Sequence, residues 1–233
     1  MTAHPRPVYL IAGSPHGRRR GADPVIAAAL AGAGRARPSV CYIGVASDDD
    51  RGFLRFVTAY LRRSGAGEVR LAALASARAD LTEARAVIEG ADLVFVSGGD
   101  VEAGMAHLER HGLIPLLRTL HGAGTPFIGL SAGSIMLARC WVRWSDPDDD
   151  ATARTFPCLA LASVLCDCHA EADGWEELRA LLALTGEGTG YGIPAGGALR
   201  VAPDGAVAAL GKPAHRFTSR DGRIGRSADL LPS

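Results

Sequence analysis

Neither sign of charge dominates this chain. Lys plus Arg and Asp plus Glu number 25 each, so the formal net charge is zero. With no net field to attract a polyanion or an anionic surface, neither nucleic acid nor membrane is expected as a partner. A long hydrophobic run is also missing. No apolar stretch reaches the roughly 20 residues of a membrane span. The N-terminal Met1-Thr2-Ala3-His4-Pro5-Arg6-Pro7 has no apolar signal-peptide core, so the expected location is cytoplasmic. Cysteine is scarce: five residues, an odd number at irregular spacing, do not form a disulfide framework. Cys158, Cys166, Cys168 and His169 do gather. Zinc sites, however, pair cysteines roughly two to four residues apart and repeat the pair across a loop. This run does not repeat, so buried reduced thiols, no metal and no cofactor are expected. Nothing resembles an interdomain linker. A chain of 233 residues with 48% hydrophobic content can bury about 70% of its unfolded surface, enough for one domain spanning 1–233.

What the sequence does have is centred on Pro126-Phe127-Ile128-Gly129-Leu130-Ser131-Ala132-Gly133-Ser134-Ile135-Met136-Leu137. An apolar run ends in Gly-Leu-Ser-Ala-Gly and passes directly into a helix-forming segment. This is the G-x-S-x-G elbow, a sharp strand-to-helix turn that strains the serine and lifts its hydroxyl clear of the sheet. Glycine is needed on both sides because a Cβ would collide with neighbouring backbone. The turn also directs the Ala132 amide, at the positive end of the following helix, toward an oxyanion forming on a substrate. The motif by itself also fits an ordinary strand–helix turn; the legible strand before it and helix after it favour a nucleophile.

Around this elbow, strands and helices alternate. Val8 to Ser14 reads as a buried strand running into a glycine turn, and the following loop carries Arg18, Arg19 and Arg20. Those arginines fit either a solvated charge run or a clamp for an anion. Residues 50–63 form an amphipathic helix whose Phe53, Phe56 and Tyr60 are expected to be core packing. Residues 92–96 form a buried strand ending in Ser97-Gly98-Gly99-Asp100, where paired glycines allow backbone amides to approach a ligand. Apolar strands alternating with helices indicate an α/β fold with a mostly parallel sheet covered on both faces. Ligands bind such sheets at the carboxyl ends of strands, where Gly98, Gly99 and Ser131 sit. Farther on, residues 141–144 can be a strand, residues 145–150 an acidic turn, and residues 159–166 an apolar run delivering Asp167-Cys168-His169. Residues 201–210 read as a hairpin, and the chain from Thr218 onward reads as a polar, mobile tail.

With Ser97-Gly98-Gly99-Asp100, Gly129-Leu130-Ser131-Ala132-Gly133 and the later His169, the chain resembles the peptidase E (aspartyl dipeptidase) and cyanophycinase family of serine peptidases. The likeness is strongest over residues 94–137 and continues in Gly192-Ile193-Pro194 and His215-Arg216-Phe217. It implies a flavodoxin-like, class I glutamine-amidotransferase-like fold and hydrolysis of small, acidic peptides through an acyl-enzyme. By position, Ser131 would be the nucleophile and His169 the base, with the amides of Gly99 and Ala132 forming the oxyanion hole. Gly98, Asp100 and Arg143 would contact substrate, Arg143 or Arg18 to Arg20 pairing with its carboxylate. One position departs from the pattern: where peptidase E places its triad glutamate, this chain has Ala195. Asp146 falls where the family has a motif aspartate and is assigned the vacant role. Asp167 and Glu171 flank His169 as rivals, Asp167 being poorly aimed because strand neighbours point to opposite faces.

The α/β-hydrolase fold fits less well, because its acid and histidine usually lie far beyond the nucleophile, on late strands. The leading expectation is therefore a serine exopeptidase acting on a small peptide, with a homo-oligomer left open. Ala195 motivates the alternative of a catalytically impaired relative that binds a small ligand. Acyl-transferase or amidotransferase-like chemistry on the same elbow is the third reading.

Overall fold

A computed structural model describes residues 4–13, 21–146 and 148–232. Arg18 to Arg20, read above as a charge run or an anion clamp, lie outside the described residues. The first half of the chain runs β1 (Val8–Ile11), α1 (Pro24–Ala31), β2 (Val40–Ile43), α2 (Arg51–Arg63), β3 (Val69–Ala72) and α3 (Leu81–Glu89). It continues with β4 (Leu93–Val96), α4 (Val101–Arg110), α5 (Ile114–Gly122), β5 (Phe127–Leu130) and α6 (Ala132–Leu137). Four of these helices start on an aspartate whose carboxylate accepts amides of the first turn: Asp23, Asp50, Asp80 and Asp100. Each such cap is worth about 1 kcal/mol and fixes where its helix begins.

The central sheet has seven strands. Once β10 (Ala198–Val201) and β11 (Val207–Leu210) are included, their order is β11-β10-β1-β5-β4-β2-β3. The five strands from β1 to β3 are parallel, and β10 and β11 extend the β1 edge antiparallel as the expected hairpin. Strands β1, β2 and β4 are buried at every position because helices cover both faces, which is why each reads as a continuous apolar run. Alternate residues supply two cores. Tyr9, Ile11, Tyr42 and Phe95 face α1 and α2, packing on Ile26, Leu30, Val57 and Leu61. Leu10, Ile43 and Val96 face the other way, toward Leu108, Leu117 and Met136.

The second half adds β6 (Cys140–Trp144), β7 (Ala153–Pro157), β8 (Leu165–Cys168), α7 (Glu176–Thr185) and β9 (Gly188–Ile193). After β10 and β11 come β12 (Ala214–Arg220) and β13 (Arg223–Leu230). β6 and β7 pair as a two-stranded ribbon, and a second sheet has the order β13-β12-β9-β8. Here the expectation of a mobile tail from Thr218 is corrected. Thr218 pairs with both Thr189 and Gly225, and the chain closes as the β12–β13 hairpin. Phe217 and Ser219 are buried on one face while Thr218 and Arg220 turn to the other. Polar residues on that wetter face are what made the segment read as a tail. The core facing α4 continues into this sheet through Cys168, Leu178, Ile193 and Phe217. Among the described residues, no helix is long and apolar enough to cross a membrane.

Candidate active site

The elbow forms as its sequence demands. Ser131, between β5 and α6, has φ 52 and ψ −121, a conformation that L residues rarely adopt and that costs about 1–3 kcal/mol. The glycines on either side make the turn buildable. A Cβ on Gly129 would lie 2.6 Å from Gly133 O, and one on Gly133 would lie 2.1 Å from Val96 O. The strained serine is held from outside: its amide donates to Ile11 O at 2.7 Å. Ser134 adds a bond pair not anticipated from the sequence, accepting from Ile11 N at 2.8 Å and donating to Ile11 O at 3.1 Å. The start of α6 is thereby fastened to the carboxyl end of β1, which fixes the direction of the Ser131 side chain.

Gly98 and Gly99 end the loop after β4, beside the elbow. Gly99 has φ +143, and a Cβ there would fall 1.8 Å from Ala46 O, so only glycine fits. The next residue locks the turn, Asp100 N donating to Ala46 O at 2.7 Å. The amides of Gly99 and Ala132 donate to no protein acceptor among the described residues. Both residues line a cavity with Ser131, so two free N–H groups flank the nucleophile.

His169 comes from the second sheet. It follows β8 directly with φ 48, and its amide donates to Ile193 O at 2.9 Å. That twist at the strand end carries the imidazole to the elbow, where Nε2 and Ser131 Oγ are 2.6 Å apart. The structure therefore brings Ser131 and His169 together, from elements 38 residues apart in sequence.

It does not bring Asp146 to them. The Asp146 carboxylate is exposed and accepts from Asp148 N at 3.1 Å, while its backbone is tied to Thr152. Among the described residues no hydrogen bond or ion pair joins Asp146, or any other carboxylate, to His169. The corner where the family pattern places a glutamate is held differently. Ala195 N donates to Glu171 Oε1 at 2.8 Å, and Lys212 Nζ donates to Ala195 O at 2.6 Å. Glu171, Ala195, His169 and Ser131 line one cavity together.

Two cavities open on the Ser131–His169 contact. The first, of ≈ 800 Å³, is walled by Phe53, Phe56 and Tyr60 of α2, with Leu130 and Ala172. The core-packing expectation holds for Phe53 and Tyr60, which pack partly buried against the core under α2 as well as lining the cavity, and is corrected for Phe56, which is 45% exposed. The three rings share the helix side next to the buried stripe, and sequence spacing cannot tell a core-facing side from a cavity-facing one. The second cavity, of ≈ 580 Å³, lies against β6, β7 and α7 and includes Asp100, Glu102, Arg143 and Asp167. Asp100 spends Oδ1 on capping α4, accepting from Ala103 N at 2.9 Å. Arg143, expected to hold a substrate carboxylate, already donates to Glu102 at 2.8 Å and lies 5.7 Å over the Phe156 ring.

Asp167 is 2% exposed, and one of its carboxylate oxygens has no hydrogen-bond partner. Burial pushes its carboxyl up to about 7, against one stabilising bond from Cys168 N, with Glu177, Asp173 and Glu171 adding like charge. The five cysteines are free thiols, and Cys158, Cys166 and Cys168 are buried. Burial pushes the Cys158 thiol up to about 12 and also raises Cys166 and Cys168 well above the ordinary thiol value, which leaves them protonated. Among the described residues no three His, Cys, Asp or Glu side chains are grouped so as to hold a metal.

The chain also shares sequence with a known family and shape with known folds. The model of peptidase family S51 matches residues 8–208, most of the chain. Two solved structures share the fold. A peptidase from an acI-B1 Actinobacterium superposes with TM-score 0.72 at 14% identity, covering 99% of this chain and 98% of its own. A protein taken to be a peptidase E, from Listeria monocytogenes EGD-e, gives 0.66 at 18% identity, with coverage of 88% and 98%. No curated protein sequence matches the chain.

Proposed function

The chain belongs to peptidase family S51, and from that premise we propose that it is a cytoplasmic serine exopeptidase working through an acyl-enzyme on Ser131. Its being a peptidase follows from the family, and the serine type does so too. Ser131 Oγ attacks the scissile carbonyl carbon as His169 Nε2 takes the hydroxyl proton. The carbonyl oxygen becomes an oxyanion between the Gly99 and Ala132 amides. The tetrahedral species collapses, the C–N bond breaks, and Nε2 returns the proton to the departing amine. Water then adds to the Ser131 ester with His169 again as base, which releases the acid product and the free serine. The observation that carries this reading is the 2.6 Å contact between Ser131 Oγ and His169 Nε2 on a strained elbow.

An aspartyl preference, which the resemblance implies, would need a cation in reach of the nucleophile. Among the described residues lining the two cavities the one guanidinium is Arg143, and Glu102 holds it. Hydrolysis of a dipeptide panel tests both levels of the proposal. Turnover that is lost in Ser131→Ala and His169→Ala supports the peptidase mechanism, and equal rates on Asp-Leu and Ala-Leu would remove the aspartyl preference. No turnover on any member, by folded protein, would remove the peptidase itself.

Ala195 favours a second reading, in which the chain binds a small ligand and hydrolyses poorly. Without a carboxylate on the far imidazole nitrogen, the imidazolium formed during attack loses a partner worth up to about 10⁴ in kcat in other serine peptidases. Ala195→Glu separates the readings. A gain of about ten-fold or more means that the natural site runs without its acid. No gain means that the Ser131–His169 pair already works at its capacity.

A further inference from the structure

Around the second cavity, negative charge goes unanswered. Asp100, Glu102, Asp150, Asp167, Glu176 and Glu177 all line it. The one guanidinium among its described lining residues, Arg143, is taken up by Glu102. None of the other five carboxylates forms an ion pair among the described residues. The least expected member is Asp167, which projects from the end of β8 beside His169. Its Oδ1 accepts from Cys168 N at 2.7 Å, while Oδ2 is buried and bonds to nothing. Buried carboxylate oxygens nearly always have a partner, so an orphaned one lining a cavity calls for a donor from outside. The walls are aromatic, formed by Trp141, Trp144 and Phe156. Arg143 over the Phe156 ring shows that a cation sits comfortably on this surface.

We infer that this cavity receives a cationic side chain, the ammonium of lysine or the guanidinium of arginine, from the peptide residue beside the scissile bond, with Asp167 as its terminal partner. The inference rests on the peptidase reading above and narrows its substrate class. A basic side chain suits the site better than the α-ammonium alone, because its apolar stem can lie along the tryptophans while its head reaches the carboxylates. An acidic side chain would meet like charge there. Asp167, His169 and Ser131 line this one cavity, so a side chain that reaches Asp167 leaves the neighbouring carbonyl within the same space as Ser131.

Calorimetry on the Ser131→Ala protein tests this without turnover, using Arg-Leu, citrulline-Leu and Asp-Leu, which share the same α-ammonium. Arg-Leu is expected to bind about ten-fold or more tighter than citrulline-Leu, with Asp-Leu the weakest. Adding Asp167→Asn should bring Arg-Leu and citrulline-Leu within about two-fold of each other, and Glu177→Gln, at the rim, should lower Arg-Leu affinity by a smaller factor. Equal affinity for Arg-Leu and citrulline-Leu, tightest binding by Asp-Leu, or no binding of any of the three at millimolar concentration would overturn the inference. The binding order does not depend on catalysis. If it holds while the wild type fails to cleave Arg-Leu, the peptidase reading falls and the cation site stands. If Arg-Leu is cleaved no faster than Asp-Leu and binds no tighter, the peptidase reading stands and the cation site falls.

Discussion

The two cavities that meet at Ser131 are built from opposite materials. One is walled by Phe53, Phe56, Tyr60 and Leu130, and its described lining residues carry little charge beyond Asp23 and Glu171. The other sets six carboxylates and one engaged guanidinium among aromatic rings. They share the residues that carry chemistry, Gly99, Ser131 and His169, and differ in nearly everything else. Such a division separates two jobs. On the proposed mechanism the shared wall would perform bond cleavage, and the unshared walls would decide what lies on each side of the bond. The elements behind the cavities differ as well. The apolar one borrows a helix that covers the parallel sheet, whereas the acidic one is built on β6, β7 and the second sheet.

The comparison breaks most severely at the shared wall. Removing the base with His169→Ala should lower kcat/KM by about 10³–10⁴ on every peptide while leaving the ranking of peptides unchanged. A change in ranking, measured across a dipeptide panel, would mean that His169 selects substrate as well as moving protons.

The next largest effect isolates the acidic side. The Asp167 carboxyl is pushed up to about 7 in the folded chain, above the roughly 3.9 of an unfolded aspartate. Between those values the folded state binds the extra proton. Its contribution to stability is therefore fully present below the unfolded value and is lost as pH rises toward 7. The carboxylates contributing to this, Glu177, Asp173 and Glu171, add like charge, and the Cys168 amide opposes them. Thermal melts should show stability falling from pH 5 to pH 8, and Asp167→Asn should flatten that slope and add about 1–3 kcal/mol at pH 8. A pH slope that is the same in both proteins would contradict the account of this cavity.

A smaller change sharpens the apolar side. Phe56, 45% exposed and stacked at 6.4 Å on Phe53, has more to offer a ligand than the core. Phe56→Ala is expected to raise KM for peptides with a large apolar residue by about three- to ten-fold, with kcat and stability nearly unchanged. A drop in melting temperature with KM unmoved would return the ring to core packing. The smallest effect belongs to neither cavity. Asp146 caps its own loop, so Asp146→Asn should leave kcat within about two-fold. A fall of several hundred-fold would show that this carboxylate reaches His169 during turnover.

The parallel sheet was legible because most of its strands are apolar throughout, four of the helices begin on aspartates, and glycines mark its turns. Ser131, Gly99, Ala132 and His169 were legible for a related reason: each sits where a strand stops, and the turn chemistry is local. What escaped the reading is the direction in which particular side chains face. Whether Phe56 faces a core or a cavity depends on the elements that lie across from α2, which its own helix does not encode. Asp146 was placed by its offset from Ser131, but the hydrogen bonds to Asp148 and Thr152 that turn the loop on itself have no signature of that kind. Asp167 was set aside because strand neighbours diverge. Alternation separates only immediate neighbours, however, and Asp167 and His169, two residues apart, line the same acidic cavity.

The central claim is that Ser131, activated by His169, is the nucleophile. Treatment of the folded protein with a fluorophosphonate, followed by peptide mass mapping, tests it most directly. One phosphonate per chain is predicted, on the peptide carrying Ser131, absent from Ser131→Ala and formed far more slowly in His169→Ala. Folded wild-type protein left unlabelled, or Ser131→Ala labelled to the same extent, would contradict it.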